Sequence, residues 1–547
     1  MAADKEGISS SASSNSPTNV DDKLQFEEVT AFSNPLPKDR DLGVYESDED
    51  GQHFRKNPFL DPDVADHWRA VYEKSDYECR HEFDPDFTWT EEEEKKLVRR
   101  LDWHCVMFFG LQTDRGNLTQ AVADNLLNDL NLNTNDYNFG NTIFLFSFLL
   151  AELPSQLVSK KLGPDRWIPM QISLWSIVAM SQCAIKGKTG FYATRSILGL
   201  LEGGFIPDIV LWLSFFWTTL SGTTIVTSIL AFALLHMRGV AGWAGWRWLF
   251  LIEGIITFIV GIVSFFMMPA SAVQTKTWFR PKGWFTDREI KIVVNRVLRD
   301  DPSKGDMHNR QAITPRRLWE AAKDYDLWPL YAIGLVAYIP QTPPNTYLTL
   351  TLKALGFSTF NTNLLTIPSS FFHICTLLLI TQLSERTNER TLVSMLQPIW
   401  TLPCVIALRF WPGSGIDSKG TFALVTVLLS YPYCHAILVG WTSKNSNNVG
   451  ARSVSAAFYN MAVQLGNICA NFIYRTDDKP LYHRGNTQLI IINLLSIALF
   501  LFTKAYYVLR NRHREKKWSA LTPEEQIAYK RDTKLSGSRR LDFRFAH

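Results

Sequence analysis

The sequence predicts an all-α membrane protein with twelve transmembrane helices in two halves of six. Three observations predict it. Charge is segregated: residues 1–100, 270–326 and 511–547 are polar, and the stretches between them carry almost none. A soluble chain of this size would intermix charged and apolar residues. The apolar stretches recur at about the 20 residues needed to cross a ~30 Å hydrocarbon core. A single long polar connection divides them six and six. The overall figures, 46% hydrophobic and a net charge of +3 over 547 residues, hide this because they average over it.

Taken in order, residues 1–100 read as a cytoplasmic disordered tail. Ser and Asn cluster at 9–19, the acidic run Glu46-Ser47-Asp48-Glu49-Asp50 follows, and apolar residues are sparse over 1–85. No basic, then apolar, signal-peptide pattern opens the chain. Thr90-Glu91-Glu92-Glu93 starts a short helix, with Thr90 placed to cap it and Glu93 to reciprocate. The predicted spans are 103–123, 139–158, 167–185, 191–213, 215–235 and 247–268, then 327–347, 362–382, 392–410, 421–441, 453–473 and 488–509. This divides the chain into an N-terminal bundle (101–268), a central cytoplasmic loop (269–326), a C-terminal bundle (327–510) and a cytoplasmic tail (511–547). Such a repeat architecture is expected of transporters.

Loop charge predicts orientation. Lys160, Lys161 and Arg166 follow span 2, and Arg280, Lys282, Arg288, Lys291, Arg296 and Arg299 lie in the central loop. Arg386 and Arg390 follow span 8, and Arg510, Arg512, Arg514, Lys516 and Lys517 follow span 12, whereas Asp124, Asp129 and Asp136 follow span 1. The positive-inside rule then puts both termini in the cytoplasm, with the plasma membrane as the expected location. Trp167, Trp246, Trp248 and Trp441 stand near span ends, where an aromatic belt would lie.

Enzyme chemistry finds little support. The seven cysteines form no CxxC pair or metal-like spacing. No nucleophile–base cluster or phosphate-binding loop stands out, which also argues against an ATP-driven pump. No catalytic residue, metal or cofactor is expected, and no nucleic-acid partner.

Ionisable residues at bilayer depth are costly on a lipid face, so they face a cavity or a partner. Asp114 and Arg115 lie in span 1, Arg195 and Glu202 in span 4, with Asp208 further on. Arg195 and Glu202 are seven residues apart, close to two helical turns, and project from one face. A guanidinium suits a carboxylate or sulfonate, and a partly desolvated carboxyl can hold a proton. The alternative is an ion pair that only ties spans 1 and 4 together. In span 7, Tyr338, Gln341 and Asn345 recur among Pro340, Pro343 and Pro344, which predicts a broken helix with a polar face lining a cavity. His373, His435, Asn460, Gln464 and Asn467 are further polar points, suited to bonds between helices.

Several motifs resemble the major facilitator superfamily and, within it, the fungal anion:cation symporter (allantoate permease-like) family. They are Leu162-Gly163-Pro164-Asp165-Arg166-Trp167, the run Arg195–Gly204 with Pro207, Gly245–Gly254, and Asn445, Gly450-Ala451-Arg452-Ser453, Gly466-Asn467, Tyr474-Arg475 and Asp477-Asp478. The resemblance covers roughly residues 95–520. Asp114-Arg115-Gly116-Asn117, Asp124-Asn125 and the run Asn133–Asn138 look most like its sulfur-compound branch. The resemblance implies a major facilitator fold and proton-coupled uptake of a small organic anion of sulfonate, allantoate or vitamin type. It assigns anion binding to Arg115 and Arg195, and proton coupling to Asp114 and Glu202.

The chain departs from that pattern in two places. Ile209 to Leu235 is one uncharged run, about 40 Å if helical and too long for one span. Ser214 or Ser221-Gly222 would have to make the turn. Span 1 is also short ahead of Asp114. Two alternatives stand beside import: a non-transporting nutrient sensor, whose long tails (1–95 and 511–547) would bind signalling partners, and an inactive product lacking parts of spans 1 and 4–5.

Overall fold

In the computed structural model, the structure describes residues 45–47, 53–55, 57–75, 77–97, 113–203, 213–268, 271, 273–276, 280–300, 302, 319, 322–414, 416–446, 449–532 and 537–547. Helices stand at all twelve expected span positions among them. The first bundle holds Thr113–Ala123 (span 1), Thr134–Leu162 (span 2), Pro164–Ser181 (span 3), Lys188–Glu202 (span 4), Leu213–Leu235 (span 5) and Gly245–Met267 (span 6). In the second, span 7 is divided into Trp328–Val336, Thr342–Thr346 and Leu348–Ala354. Ile367–Thr387 is span 8, Leu396–Phe410 span 9, Ser418–Leu429 with His435–Ser446 span 10, Val449–Ala470 span 11 and His483–Ser519 span 12. Two three-residue strands, Tyr45–Ser47 and His53–Arg55, pair antiparallel ahead of the bundles.

Among the described residues, four stretches are long and apolar enough to cross a bilayer unaided: Gly245–Met267, Asn361–Thr387, Thr391–Phe410 and His483–Ser519. Of the others, span 5 is an uncharged helix of 23 residues, and most of the rest are shorter, broken or interrupted by polar residues. Backbone of that kind is tolerated at membrane depth where protein covers it. Spans 6 and 12 show the complementary face: Ile255, Ile259, Ile262 and Phe266, and Ile491, Leu494, Leu501 and Phe502, are exposed in a row suited to lipid.

Several expectations change. Span 4 stops at Glu202, where Gly203 turns extended (φ −62°, ψ 138°). Ser214, Ser221 and Gly222 all lie inside the span 5 helix, so none of them turns the chain. Residues 204–212, Asp208 among them, lie outside the described residues. Span 10, expected to be continuous, breaks over 430–434 around Pro432. Trp246 and Trp441 are fully buried and do not serve a lipid-facing belt. The Trp246 indole donates to Asp129 Oδ2 (2.8 Å) and that of Trp441 to the Ala546 carbonyl (2.7 Å).

The disordered-tail expectation fails over residues 57–97, which are folded. Pro62–Lys74 is a helix with Pro62 at its first position and Asp61 accepting from Asp63 N–H. Thr90 and Glu93 form the expected reciprocal cap at the start of helix 91–97. Phe59, Tyr72, Trp89 and Leu97 pack on Ile290, Val294 and Leu298 of the central helix Asp287–Asp300. The apolar residues of this segment are too few to bury one another. Their core is completed by a helix some two hundred residues later. Arg299 stacks on Trp89 (4.4 Å) and donates to the Pro85 carbonyl (3.1 Å), and burial lowers its guanidinium to about 10.

The Arg288 guanidinium holds Glu93 down to about 2. A folded pKa below the unfolded one contributes stability that is present above the unfolded value and lost as pH falls through about 2. Limited proteolysis of the 57–97 segment should therefore be flat from pH 8 to about 5 and accelerate only at strongly acid pH. An exposed pair contributes modestly, so Glu93→Gln should raise cleavage slightly at pH 7 and flatten the acid limb.

The C-terminal tail also folds back. Arg514 pairs with Asp326 (3.4 Å) and donates to the Arg540 and Phe543 carbonyls. Phe545 is buried against Tyr507, and Asn445 and Asn511 each exchange hydrogen bonds with its backbone or that of Ala546. The tail thus ties the ends of spans 7, 10 and 12 on the face that carries the termini.

Candidate functional site

Span 4 presents Phe191, Arg195, Leu198, Gly199 and Glu202 on its buried face. That confirms the helical spacing read for Arg195 and Glu202. Arg195 is 6% exposed. Its guanidinium carbon lies 4.4 Å over the Phe144 ring, and Nη2 donates to Asn141 Oδ1 at 3.3 Å. Asn141 and Phe144, three residues apart on span 2, form one neighbouring patch. Spans 2 and 4 can approach so closely because residue 199 is glycine: a Cβ there would stand 2.3 Å from the Phe144 carbonyl oxygen. Asp114 and Arg115 have helical backbone in Thr113–Ala123. Their side chains lie outside the described residues.

The second bundle supplies a different surface. The expected break in span 7 is present, and Tyr338 sits in it, donating to or accepting from Tyr459 Oη at 2.8 Å. Gln341 is buried, its Nε2 donating to the Ala337 carbonyl (3.4 Å). Asn345, one turn beyond, is exposed. Gln397 of span 9 joins the two broken helices. Its Nε2 donates to the Ala337 carbonyl (2.9 Å) and its Oε1 accepts from Cys434 N–H (3.1 Å). Backbone groups freed by both breaks are satisfied by one side chain, as the bilayer interior requires. Around them His435 stacks on Tyr433 (5.6 Å, 12°) and lies 5.4 Å from both Tyr338 and Tyr459. Tyr338 and Gln341 therefore belong to a Tyr–His cluster within their own bundle, whereas Arg195 belongs to the other. The Tyr431-Pro432-Tyr433 run is the signal that could have located this cluster.

The two halves are fastened at the face away from the termini. Asn138 Nδ2 donates to the Tyr474 carbonyl (2.7 Å), and Tyr347 Oη donates to Asn138 Oδ1. Thr349 Oγ1 donates to the Thr119 carbonyl (2.7 Å), and Ser228 and Thr366 hydroxyls pair at 2.8 Å. Lys353 donates to the Ala123 carbonyl (2.9 Å) and to Asn125 Oδ1. It enters a corner where Asp124, 3% exposed, accepts from Trp246 N–H (2.8 Å) and meets Arg238 Nε at 3.5 Å. The Gly245-Trp246-Arg247 motif thus ties span 6 to the ends of spans 1 and 3 within the first bundle. A Cβ at 245 would crowd Asp124 Oδ2 at 2.7 Å, and Arg247 reaches the Cys183 carbonyl (2.8 Å).

Lys353→Met removes two charge-assisted donors from this seam, worth about 1.5–3 kcal/mol each. It should shift the protein towards separation of the halves at this face. A Thr142→Cys reporter should then react faster with an impermeant thiol reagent; an unchanged rate would count against the latch.

Sequence reading missed two buried carboxyls. Glu152 in span 2 is 1% exposed and Glu253 in span 6 is 0% exposed. Both fall inside the predicted span limits, so a plain search for charge within apolar stretches would have found them.

Residues 105–471 match the Major Facilitator Superfamily. The chain is 43% identical to the uncharacterized transporter YIL166C of Saccharomyces cerevisiae, over 91% of this chain and 95% of that one. It is 28% identical to a protein of Agrobacterium vitis named as a candidate tartrate transporter, over 56% of this chain and 70% of that one. Among solved structures, the partially occluded, inward-open xylose transporter XylE of E. coli superposes with a TM-score of 0.54 at 11% identity, covering 75% of this chain and 99% of that one.

Proposed function

Because the chain belongs to the Major Facilitator Superfamily, a family of multi-pass membrane transporters, we propose that it imports a small organic anion together with protons by alternating access between its halves. The observation that carries this reading is Arg195, a guanidinium buried within span 4 against Phe144 and Asn141. A cation at that depth is costly unless it serves a partner, and its planar fork matches a carboxylate or sulfonate. Arg115 is the second anion-binding residue, and Tyr338, Gln341 and Asn345 are the polar contribution of the other half. Asp114 and Glu202 carry the proton. The name of the Agrobacterium vitis relative supports an organic-anion class. The Asp114–Asn117 and Asn133–Asn138 stretches favour the sulfur-compound branch of the allantoate permease-like family. Loop charge supports cytoplasmic termini; with the plasma membrane as the proposed location, the fastened face is the external one.

The test is a radiolabelled uptake panel of sulfonates, allantoate and vitamins in cells expressing the full chain. One class should accumulate, faster as external pH falls, and collapse with a protonophore. Uptake indifferent to the protonophore sinks the coupling; a panel with no uptake sinks the substrate class.

A further inference from the structure

Glu152 is buried at membrane depth in span 2, and its Oε2 finds no hydrogen-bond partner among the described residues. Three polar side chains of this region are engaged with one another or with backbone. One turn on, Ser155 Oγ accepts from Trp167 Nε1 (3.0 Å) and Gln171 Nε2 (2.9 Å). The Gln171 amide also reaches the Leu201 and Gly203 carbonyls (3.0 and 3.1 Å). The turn that precedes Glu152 is the one on which span 4 ends. A Cβ at Gly203 would stand 2.6 Å from Ala151 Cβ and 2.7 Å from the Phe148 carbonyl oxygen. Glu152 follows that crossing on span 2 and Glu202 precedes it on span 4, so two buried carboxyls flank one helix contact.

Spans 3, 4 and 11 pack against span 2. On span 4, Lys188 and Tyr192 are engaged by Asp136, and Arg195 lies on Phe144 and Asn141. Glu202 is itself a carboxyl and offers no positive charge. On span 3, Asp165 and Arg166 face each other at 4.0 Å. On span 11, Tyr459 bonds Tyr338, Cys469 is exposed, and the Arg452 side chain lies outside the described residues. An ionised carboxylate in such a place, with no counter-charge on it among the described residues, forfeits its hydration and is disfavoured. Binding one proton converts it to a neutral carboxylic acid, with nothing else consumed, and removes that cost.

We propose that Glu152 is a proton-binding site of the transport cycle, additional to Glu202 and loaded in the state seen here. This rests on the proton-coupled reading above. The experiment is an infrared pH titration of the purified full chain in lipid, following the carbonyl stretch of protonated carboxylic acids. Glu152→Gln, which preserves shape, should remove one acid's share of that band at pH 7, and Glu152→Asp should shift the share without abolishing it. Glu202→Gln should leave the Glu152 share in place. A neutral-pH band unchanged in both Glu152 variants overturns the proposal. In vesicles, pH-gradient-driven uptake of radiolabelled taurine, as the sulfonate probe, should fall in Glu152→Gln to its no-gradient level while tracer exchange at equal pH persists. Gradient-driven uptake equal to wild type also overturns it. If wild type moves no taurine, the substrate reading fails separately, and the infrared result alone decides whether Glu152 binds the proton.

Discussion

Arg195→Ala is expected to reduce saturable uptake of the proposed anion substrate by about a hundredfold. The figure follows from truncating one partner of a buried, hydrogen-bonded charge pair, which costs about 2–5 kcal/mol, with 1.4 kcal/mol for each factor of ten. Arg195→Lys should recover only part of the loss. A lysine keeps the charge but not the planar fork, and its stem does not reproduce the guanidinium face on Phe144. Uptake at subsaturating substrate is the measurement, normalised to surface protein so that folding and transport are separated. Arg195→Ala protein that reaches the membrane and transports like wild type would sink the anion-site assignment.

The second large effect concerns packing. Gly466 of span 11 crosses span 7 so closely that a Cβ there would stand 2.1 Å from the Leu335 carbonyl oxygen. The obstacle is backbone, so the helices themselves must move apart. Gly466→Ala should therefore destabilise the C-terminal bundle by about 1–3 kcal/mol, the usual cost of overpacking. Separation at this level would also strain the Tyr338–Tyr459 bond between the same two spans. Gly440, on span 10, has open space where its Cβ would be. Gly440→Ala is the matched control and should leave the protein as stable as before. Thermal unfolding of the detergent-solubilised variants distinguishes them, and equal melting of the two would refute the argument.

Much of the architecture was legible because a bilayer imposes one-dimensional rules. Apolar run length, loop charge and prolines marked the spans, the division into halves and the break in span 7. The helical period put Arg195 and Glu202 on one face, as found. The breaks in legibility have separate causes. Span 10 looked continuous because Pro432 sits among aromatic residues that keep the stretch apolar; only the Gln397 bridge explains how the broken backbone is satisfied. Glu152 and Glu253 each stand alone in an apolar run with no second charge at helical spacing, yet bilayer depth makes any carboxyl informative.

By itself, the sequence determined what can be computed from neighbours along the chain: which segments are apolar enough to enter a membrane, where helices start, and which residues share a helix face. Tertiary structure alone decided three things. It showed that residues 57–97 are folded, because their core is completed by Ile290, Val294 and Leu298 from far along the chain. It brought Tyr338 of span 7 against Tyr459 of span 11 and His435 of span 10. It showed that the halves meet through Asn138, Tyr347 and Lys353 at one face. Each depends on contacts between residues distant in sequence. Periodicity constrains a segment's own geometry but leaves open which surface it will bury against.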